Sequence, residues 1–172
     1  MNHSSNTNSG GWKGCDLRYD VLGSTNTNDG DATSTTATNP VANTLMAALP
    51  SDLRAVMQPM TIYTDNVGGG SNTASNVTTS VDYLPLLAEY EIFGSRSYAN
   101  STEQTYQAQY QYFKNGNSKV KYRDSSTSTT ALWWERSPYY DNSRYFCFVN
   151  TNGGADYGGA RYSFGLAPAF RV

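Results

Sequence analysis

The amino-acid sequence predicts a single α+β domain, and two features of the chain carry this prediction. Segments with helical spacing come first, and short strand-like segments joined by Gly and Asn turns fill the chain from Ala131 onward. The length of 172 residues suffices for one domain with a substantial core, whereas a second core would be cramped. We therefore expect residues 1–172 to form one domain with a small twisted antiparallel sheet, two or three short helices and long loops.

The first predicted helix begins near Trp12. Leu17, Val21 and Leu22 continue its apolar face at helical spacing, and Gly23 can take the left-handed conformation that ends a helix. The opening MNHSSNTNSGG and the polar segment 24–39 hold too few apolar residues to form core elements. These two segments are predicted to be a disordered start and an exposed loop.

The segment LMAALPSDLRAVM (45–57) predicts two helical turns broken at Pro50, with Ser51 or Asp52 as the cap of the second. MTIYTD (60–65) then alternates as a strand does. NVGGGSNTASNVTTS (66–80) has the composition of a flexible loop, and the apolar YLPLLAEYEIFG (83–94) predicts a buried strand or irregular core.

The strongest helical pattern runs from Ser101 to Gly116. Ser101 and Gln104 have the spacing of a capping box, and three aromatic residues recur at intervals of four and three. These residues are Tyr106, Tyr110 and Phe113.

Composition and charge exclude several classes of partner. The formal net charge is −2 and no Lys/Arg cluster occurs, so no nucleic-acid partner is expected. No apolar run approaches the roughly 20 residues that cross a bilayer, and no signal-peptide pattern occurs, so no direct membrane insertion is expected. With 15% charged residues and 14 tyrosines, the surface is predicted to be neutral, polar and aromatic.

Residues with catalytic or metal-binding chemistry are few. The single histidine, His3, lies in the polar opening, so a nucleophile activated by histidine is not expected. Glu89 and Glu91 would share one face of a strand, although such pairs are more often structural. The oxygen-rich NTNDGD (26–31) lacks the bidentate Glu of an EF-hand. The sequence therefore predicts no catalytic residue, no metal and no cofactor.

Cys15 and Cys147 lie near opposite ends of the chain. Two cysteines do not form a disulfide framework, and sequence spacing leaves open whether they meet. The more frequent state of free cysteine is that of a small buried apolar residue.

Two segments, WWERSP (133–138) and GLAPAF (165–170), resemble the frame of a formylglycine-generating-enzyme-like branch of the C-type lectin fold. GGWKGCDLR, LPSDLRAVMQPMTIYT, LLAEYEIFG and YQYFKNGNSKVKYR resemble the same bacterial and phage domains in order and spacing. The resemblance implies a C-type lectin fold over nearly the whole chain. Glu135 departs from the apolar or small residue of that frame. The enzymes use paired cysteines near the C-terminus, whereas Cys147 stands alone there, so the resemblance does not carry the activity over.

Some proteins with this fold are variable proteins of diversity-generating retroelements, in which a reverse transcriptase rewrites adenines in a C-terminal repeat. Changes at the adenines of AAC or AAT codons never yield Lys, Met, Trp, Gln or Glu. Residues 1–138 contain 20 residues of these five types, so about 5 are expected in residues 139–172, which contain none. Gly-rich strands and turns also avoid long side chains, which could account for part of the deficit. The resemblance implies that residues 139–164 form a variable ligand-binding region.

We expect the variable region to alternate with a fixed scaffold, as a strand with one buried and one open face would. The predicted ligand-binding residues are Tyr139, Tyr140, Ser143, Arg144, Tyr145, Phe148, Asn152, Gly154, Asp156, Tyr157, Gly158, Gly159, Arg161, Tyr162 and Phe164. The predicted scaffold residues are Trp133, Trp134, Arg136, Phe146, Val149, Ala155, Ala160, Gly165, Pro168 and Phe170. Arg136 is predicted to donate hydrogen bonds to backbone carbonyls.

The expected function is that of a binding module whose variable face recognises a protein or glycan at a surface. A phage tail or a bacterial cell surface is the expected location, with this chain as the C-terminal domain of a larger protein. The alternative is a structural virion or cell-surface domain of fixed sequence, and an enzyme of the formylglycine-generating type is a third hypothesis.

Overall fold

The computed structural model describes residues 1–125 and 127–172, and it shows mixed α and β structure with small antiparallel sheets and short helices. None of the helices in these residues is long and apolar enough to cross a membrane. The helices, more numerous than the two or three predicted, are α1 (Ser34–Thr38), α2 (Leu45–Ala48), α3 (Ser51–Val56), α4 (Glu89–Phe93), α5 (Glu103–Tyr106) and α6 (Gln111–Lys114). A π-helical turn at Leu17–Val21 and a 3₁₀ turn at Ala74–Asn76 complete this set.

The described strands form three antiparallel sheets instead of one. Two sheets have two strands each, and the third has three strands in the order β5-β6-β7. The strands are β1 (Met60–Asp65), β2 (Val77–Asp82), β3 (Lys121–Tyr122), β4 (Thr130–Ala131), β5 (Trp133–Pro138), β6 (Tyr145–Val149) and β7 (Ala155–Gly159).

The predicted loop at 66–80 ends in a strand, so that prediction was wrong in part. β2 pairs with β1 in a register that places Val77 opposite Asp65 and Ser80 opposite Ile62. Val77 and Ser80 are buried, and the Ser80 hydroxyl is satisfied there because it donates to the buried Asp82 carboxylate at 2.7 Å. A satisfied hydroxyl costs little to bury, and composition does not reveal this.

The prediction of an exposed loop at 24–39 was likewise wrong only in part, since most of the segment is exposed but it contains α1 and three fully buried hydroxyl residues. Ser24 Oγ donates to the Asp82 carboxylate at 2.9 Å, and the Thr36 hydroxyl donates to Asn26 Oδ1 at 2.5 Å. Thr25 is also buried, with its hydroxyl on the Thr27 carbonyl. The prediction rested on the scarcity of apolar residues in this segment, but hydrogen bonds allow these hydroxyl residues to be buried without apolar contacts.

The chain's opening is ordered, contrary to the prediction of a disordered start. Met1 and Asn2 are buried, and the Asn2 N–H donates to the Ala160 carbonyl at 2.9 Å. The predicted helix after Trp12 is only the π-helical turn, although Gly23 does take a positive φ of 63° after it.

The helix predicted from Ser101 to Gly116 is broken into α5 and α6, and its capping box does not form. The Ser101 N–H donates to Asn72 Oδ1, and the Tyr110 N–H donates to the Glu91 carbonyl. Gln107 is extended, and its side-chain amide donates to the Tyr63 carbonyl at 2.8 Å. Tertiary hydrogen bonds therefore override a continuous helical pattern.

The break at Pro50 is confirmed, although Pro50 itself occupies the N-cap position of α3, not Ser51 or Asp52. The apolar segment 83–94 is irregular up to Ala88 and then forms α4, which ends at Gly94 with a φ of 67°. The residues of α4 therefore form a helix and not the predicted strand or irregular core.

Two apolar clusters form the core. The larger one contains Trp12, Leu22, Trp134 and Phe146, and the smaller one consists of Ile92, Phe113, Trp133 and Val149. The C-terminal sheet lies between the clusters, because adjacent residues of β5, Trp133 and Trp134, belong to different clusters. Cys15 and Cys147 are free and buried, as expected for small apolar residues.

Two buried ion pairs join residues that are distant from each other in the sequence. Arg18 Nε lies 2.7 Å from the Asp82 carboxylate. Arg136 forms a bidentate pair with Glu91, at 2.6 and 2.7 Å, and also donates to Thr64 Oγ1 and the Leu86 carbonyl. The prediction that Arg136 donates to backbone carbonyls is confirmed, and the Glu91 carboxylate supplies the opposite charge. Nearly complete pairing makes these buried charges tolerable.

Candidate ligand-binding surface

The C-terminal sheet presents different residues on its two faces, because side chains alternate along each strand. Phe146 and Phe148 of β6 lie on one face. Tyr145 and Cys147 lie on the other, and Cys147 is directly opposite Tyr157 of β7. The alternation therefore places Tyr145 of β6 and Tyr157 of β7 on the same face of the sheet as the buried Cys147.

We call the cluster of tyrosine rings at this position the tyrosine surface. The rings of Tyr139 and Tyr157 stack with centroids 4.3 Å apart and an interplanar angle of 14°. Tyr145 stacks on Tyr157 at 5.5 Å, and Tyr98 meets the edge of Tyr157 at 5.0 Å. Tyr140 contacts Tyr139 edge-on at 5.5 Å. Four of these tyrosines come from the predicted variable region.

Tyr98 is the member that sequence reasoning missed. It lies on the loop after α4, about 40 residues before the predicted region, and no periodicity links it to β6 or β7. The loop is held by the buried Glu89 carboxylate, which accepts hydrogen bonds from the N–H groups of Ser97, Tyr98 and Ala99 at 2.7 to 3.2 Å. The same loop places the Arg96 guanidinium 5.2 Å from the centre of the Tyr140 ring.

The structure places the other predicted ligand-binding residues at different depths. Tyr157 is 37% exposed and Tyr162 is 53% exposed. Tyr139, Tyr140, Tyr145, Gly154 and Asp156 are half-buried. The remaining exposed members are Ser143, Arg144, Asn152 and Arg161.

Four predicted ligand-binding residues belong to the scaffold instead, so their assignment was wrong. Phe148 is buried, and Phe164 lies between it and Trp134, with ring centroids 4.9 and 4.3 Å away. Gly159 is buried, and a Cβ added to Gly158 would meet the Phe148 ring at 2.9 Å. Phe148 and Gly158 lie on the Phe146 side of the sheet, and Phe148 and Phe164 pack in the larger apolar cluster. Gly159 lies opposite Tyr145 on the other side, where Asn6 and Tyr162 cover it.

Most of the predicted scaffold is buried, with one clear exception. Trp133, Trp134, Arg136, Phe146, Val149 and Ala160 are buried, and Ala155, Gly165 and Pro168 are half-buried. Phe170 is 51% exposed, so its assignment to the core was wrong. The backbone beside it is fixed, since the Ala169 N–H donates to the Pro85 carbonyl and the Gln58 N–H donates to the Arg171 carbonyl. Backbone pairing leaves the Phe170 ring facing solvent.

Buried acidic groups lie near Cys147 beneath the tyrosine surface. Glu135 is fully buried, and neither carboxylate oxygen has a hydrogen-bond partner among the described residues. Burial, followed by repulsion from Glu89 and Glu103, raises the pKa of Glu135 well above its ordinary value. Burial also raises the pKa of Glu103 to about 7, although Ser137 Oγ and the Asp65 N–H donate to it.

These groups do not resemble a nucleophilic site. Burial, together with the neighbouring carboxylates Glu135, Glu89 and Glu103, raises the pKa of the Cys147 thiol well above its ordinary value. A thiol nucleophile requires a lowered pKa. Glu89 and Glu91, considered above as an acid–base pair, instead hold the 97–99 backbone and the Arg136 guanidinium.

A possible metal-binding group lies outside the oxygen-rich segment 26–31. His3 Nδ1 is 3.2 Å from Asp16 Oδ2 and 4.0 Å from Asp20 Oδ2, and one ligand atom from each lies within 4.8 Å of the others. His3 also lines a cavity of about 190 Å³ together with Arg161 and Tyr162. The sequence did not indicate this group, because the opening segment that contains His3 is ordered by tertiary hydrogen bonds.

The chain belongs to the DUF6273 family, a domain of unknown function, and the match covers residues 1–172. No curated protein matches the chain, and no solved structure matches it either.

Proposed function

We propose that this domain is a ligand-binding module that uses the tyrosine surface and the neighbouring exposed residues to contact a macromolecule. The observation that carries the proposal is the packing of Tyr98, Tyr139 and Tyr145 around the partly exposed Tyr157 ring on one face of the C-terminal sheet. Tyrosine and arginine are enriched among the residues that dominate binding energy at protein interfaces, and tyrosine provides a large contact area at low entropy cost.

We further propose that the fold is of the C-type lectin type and that the exposed residues within 139–164 are diversified by a retroelement. The mixed α and β structure and the small antiparallel sheets are compatible with that fold. The missing Lys, Met, Trp, Gln and Glu after residue 138 support diversification. So does the exposure of Arg144, Asn152, Tyr157, Arg161 and Tyr162 on and beside a buried frame. A phage tail or bacterial surface is the proposed location.

Sequencing the locus in many isolates of the source tests diversification. We expect substitutions to concentrate at exposed positions such as Asn152 and Tyr157, while Trp134 and Phe146 stay constant. A nearby reverse-transcriptase gene and a template repeat that differs at adenines are expected as well. Substitutions spread evenly along the chain, or the absence of a template repeat, would leave a structural domain of fixed sequence as the better explanation.

Binding itself is tested separately, with peptides selected from a random library on the wild-type domain. A bound peptide should lose affinity when Tyr157 is replaced by Ala, whereas replacing the exposed Tyr112, which lies on α6, should have no effect. Peptides and glycans that bind both variants as they bind the wild type would contradict the proposal.

A further inference from the structure

The loop at 94–100 joins the proposed binding surface from outside its variable segment. Tyr98 contacts two members of the tyrosine surface edge-on, Tyr157 at 5.0 Å and Tyr139 at 5.8 Å. Its N–H is bound by both carboxylate oxygens of Glu89. The Tyr98 backbone is therefore held by Glu89, while the Tyr98 ring contacts Tyr157, the most exposed ring of the tyrosine surface.

Glu89 is built to hold this loop. The side chain is 1% exposed, and its two oxygens accept four hydrogen bonds from three consecutive N–H groups, those of residues 97, 98 and 99. Hydrogen bonds to an ionised acceptor are about twice as strong as neutral ones. The Ala99 end is tied further, because Arg96 donates to the Ala99 carbonyl at 3.1 Å.

The ring geometry also favours one class of partner. A sugar binds an aromatic side chain by lying flat on an open ring face. Here the Tyr139 ring stacks on the Tyr157 ring at 4.3 Å with an interplanar angle of 14°, so a tyrosine covers one face of each of these two rings. The Arg96 guanidinium likewise lies over a face of the Tyr140 ring, 5.2 Å from its centre. Protein interfaces use tyrosine and arginine in this way.

We infer that Tyr98, positioned by Glu89, is a fixed contact residue of the tyrosine surface and that the partner of this surface is a protein segment. The inference rests on the proposed function, since it concerns the same surface. It adds a contact residue that retroelement diversification of 139–164 would leave unchanged, so that every variant would keep one constant aromatic anchor beside changing neighbours.

The test uses peptides selected from a random phage library on the wild-type domain, and a glycan array as the second arm. Tyr98→Ala should lower the affinity for the selected peptide by roughly tenfold or more, as loss of an aromatic hot spot does. Tyr98→Phe keeps the ring and should retain most of the affinity. Tyr112→Ala is the matched control, since Tyr112 is an exposed tyrosine that also packs edge-on against an aromatic neighbour, Phe113.

The role of Glu89 is tested by a double-mutant cycle. Glu89→Gln should speed amide hydrogen exchange at residues 97–99 and lower the affinity for the peptide. In the Tyr98→Ala background, the same replacement should lower the affinity little further. Additive losses would mean that Glu89 acts on stability in general and would overturn its positioning role. Circular dichroism of each variant verifies folding. If Tyr98→Ala does not fold, Tyr98→Leu, which removes the aromatic ring but keeps an apolar side chain, takes its place and should weaken peptide binding in the same way.

The two proposals fail differently. If Tyr157→Ala abolishes peptide binding while Tyr98→Ala and Tyr98→Phe leave it unchanged, the role of Tyr98 is overturned and the proposed function stands. If glycans bind in a Tyr157-dependent manner and peptides do not, the protein partner is overturned. If neither probe depends on Tyr157, the proposed function itself fails, and with it the inference.

Discussion

Both faces of the C-terminal sheet carry aromatic rings but use them in opposite ways. On one face, Phe148 packs with Phe164 and Trp134 inside the larger apolar cluster. On the other, Tyr145 and Tyr157 stack at the surface, above buried groups that include Cys147. The difference shows that aromatic content alone does not identify a binding face. What separates the faces is whether the ring has a hydroxyl and where the strand register directs it.

The largest expected effect is on the apolar face. Replacing Trp134 with Ala removes a ring that is 1% exposed and contacts both Phe148 and Phe164. We expect the free energy of unfolding to fall by about 3–5 kcal/mol through the cavity left behind. Urea denaturation measures this loss, and a loss below about 1 kcal/mol would mean that the face is not the packed core described above.

The next effect concerns the acids beneath the tyrosine surface. The pKa of Glu103 is about 7 in the folded chain, above its ordinary value of 4.5. Above pH 4.5 the unfolded chain releases this proton while the folded chain keeps it, so stability falls as pH rises from about 4.5 to about 7. At about 1.4 kcal/mol per pKa unit, the decrease attributable to Glu103 is on the order of 3 kcal/mol.

Denaturation at several pH values between 4 and 8, with the wild type and Glu103→Gln, isolates this decrease. The variant should show a flatter dependence, because Gln does not titrate, while the part due to Glu135 remains. Equal slopes for the two proteins would show that Glu103 is ionised throughout that range.

A smaller effect on folding is expected on the tyrosine face. Tyr157→Ala removes stacking with Tyr139 and Tyr145 from a residue that is 37% exposed. Aromatic pairs of this kind contribute about 0.5–1.5 kcal/mol each, and less when solvent replaces part of the contact. We expect a loss of about 1 kcal/mol in thermal or urea unfolding. A loss as large as that of Trp134→Ala would assign the tyrosines to the scaffold.

The smallest effects are expected at Phe170 and Arg161, which are exposed. Each replacement by Ala should change the free energy of unfolding by no more than about 0.5 kcal/mol, as is usual for surface positions. Differential scanning calorimetry of the two variants checks this expectation. A Phe170→Ala loss above about 2 kcal/mol would show that the ring is packed in solution.

The sequence by itself determined the α+β class, the strand at 60–65, the break at Pro50 and the strand-rich end of the chain. These elements follow from local spacing, from turn residues and from the fixed backbone of proline, which act within a few neighbours. It also marked Trp134, Arg136 and Phe146 as frame residues, and all three are buried.

Tertiary structure alone decided the rest. The pattern at 101–116 reads as one helix, yet distant partners such as Glu91 and Tyr63 bind its middle and break it. Ser24, in a hydroxyl-rich segment, is buried because its hydroxyl donates to Asp82, a contact across 58 residues. Tyr98 lies at the tyrosine surface on a loop whose N–H groups bind the Glu89 carboxylate, about 40 residues before the other members. Local patterns set the preference of each segment, but long-range hydrogen bonds can outweigh a preference of a few tenths of a kcal/mol per residue.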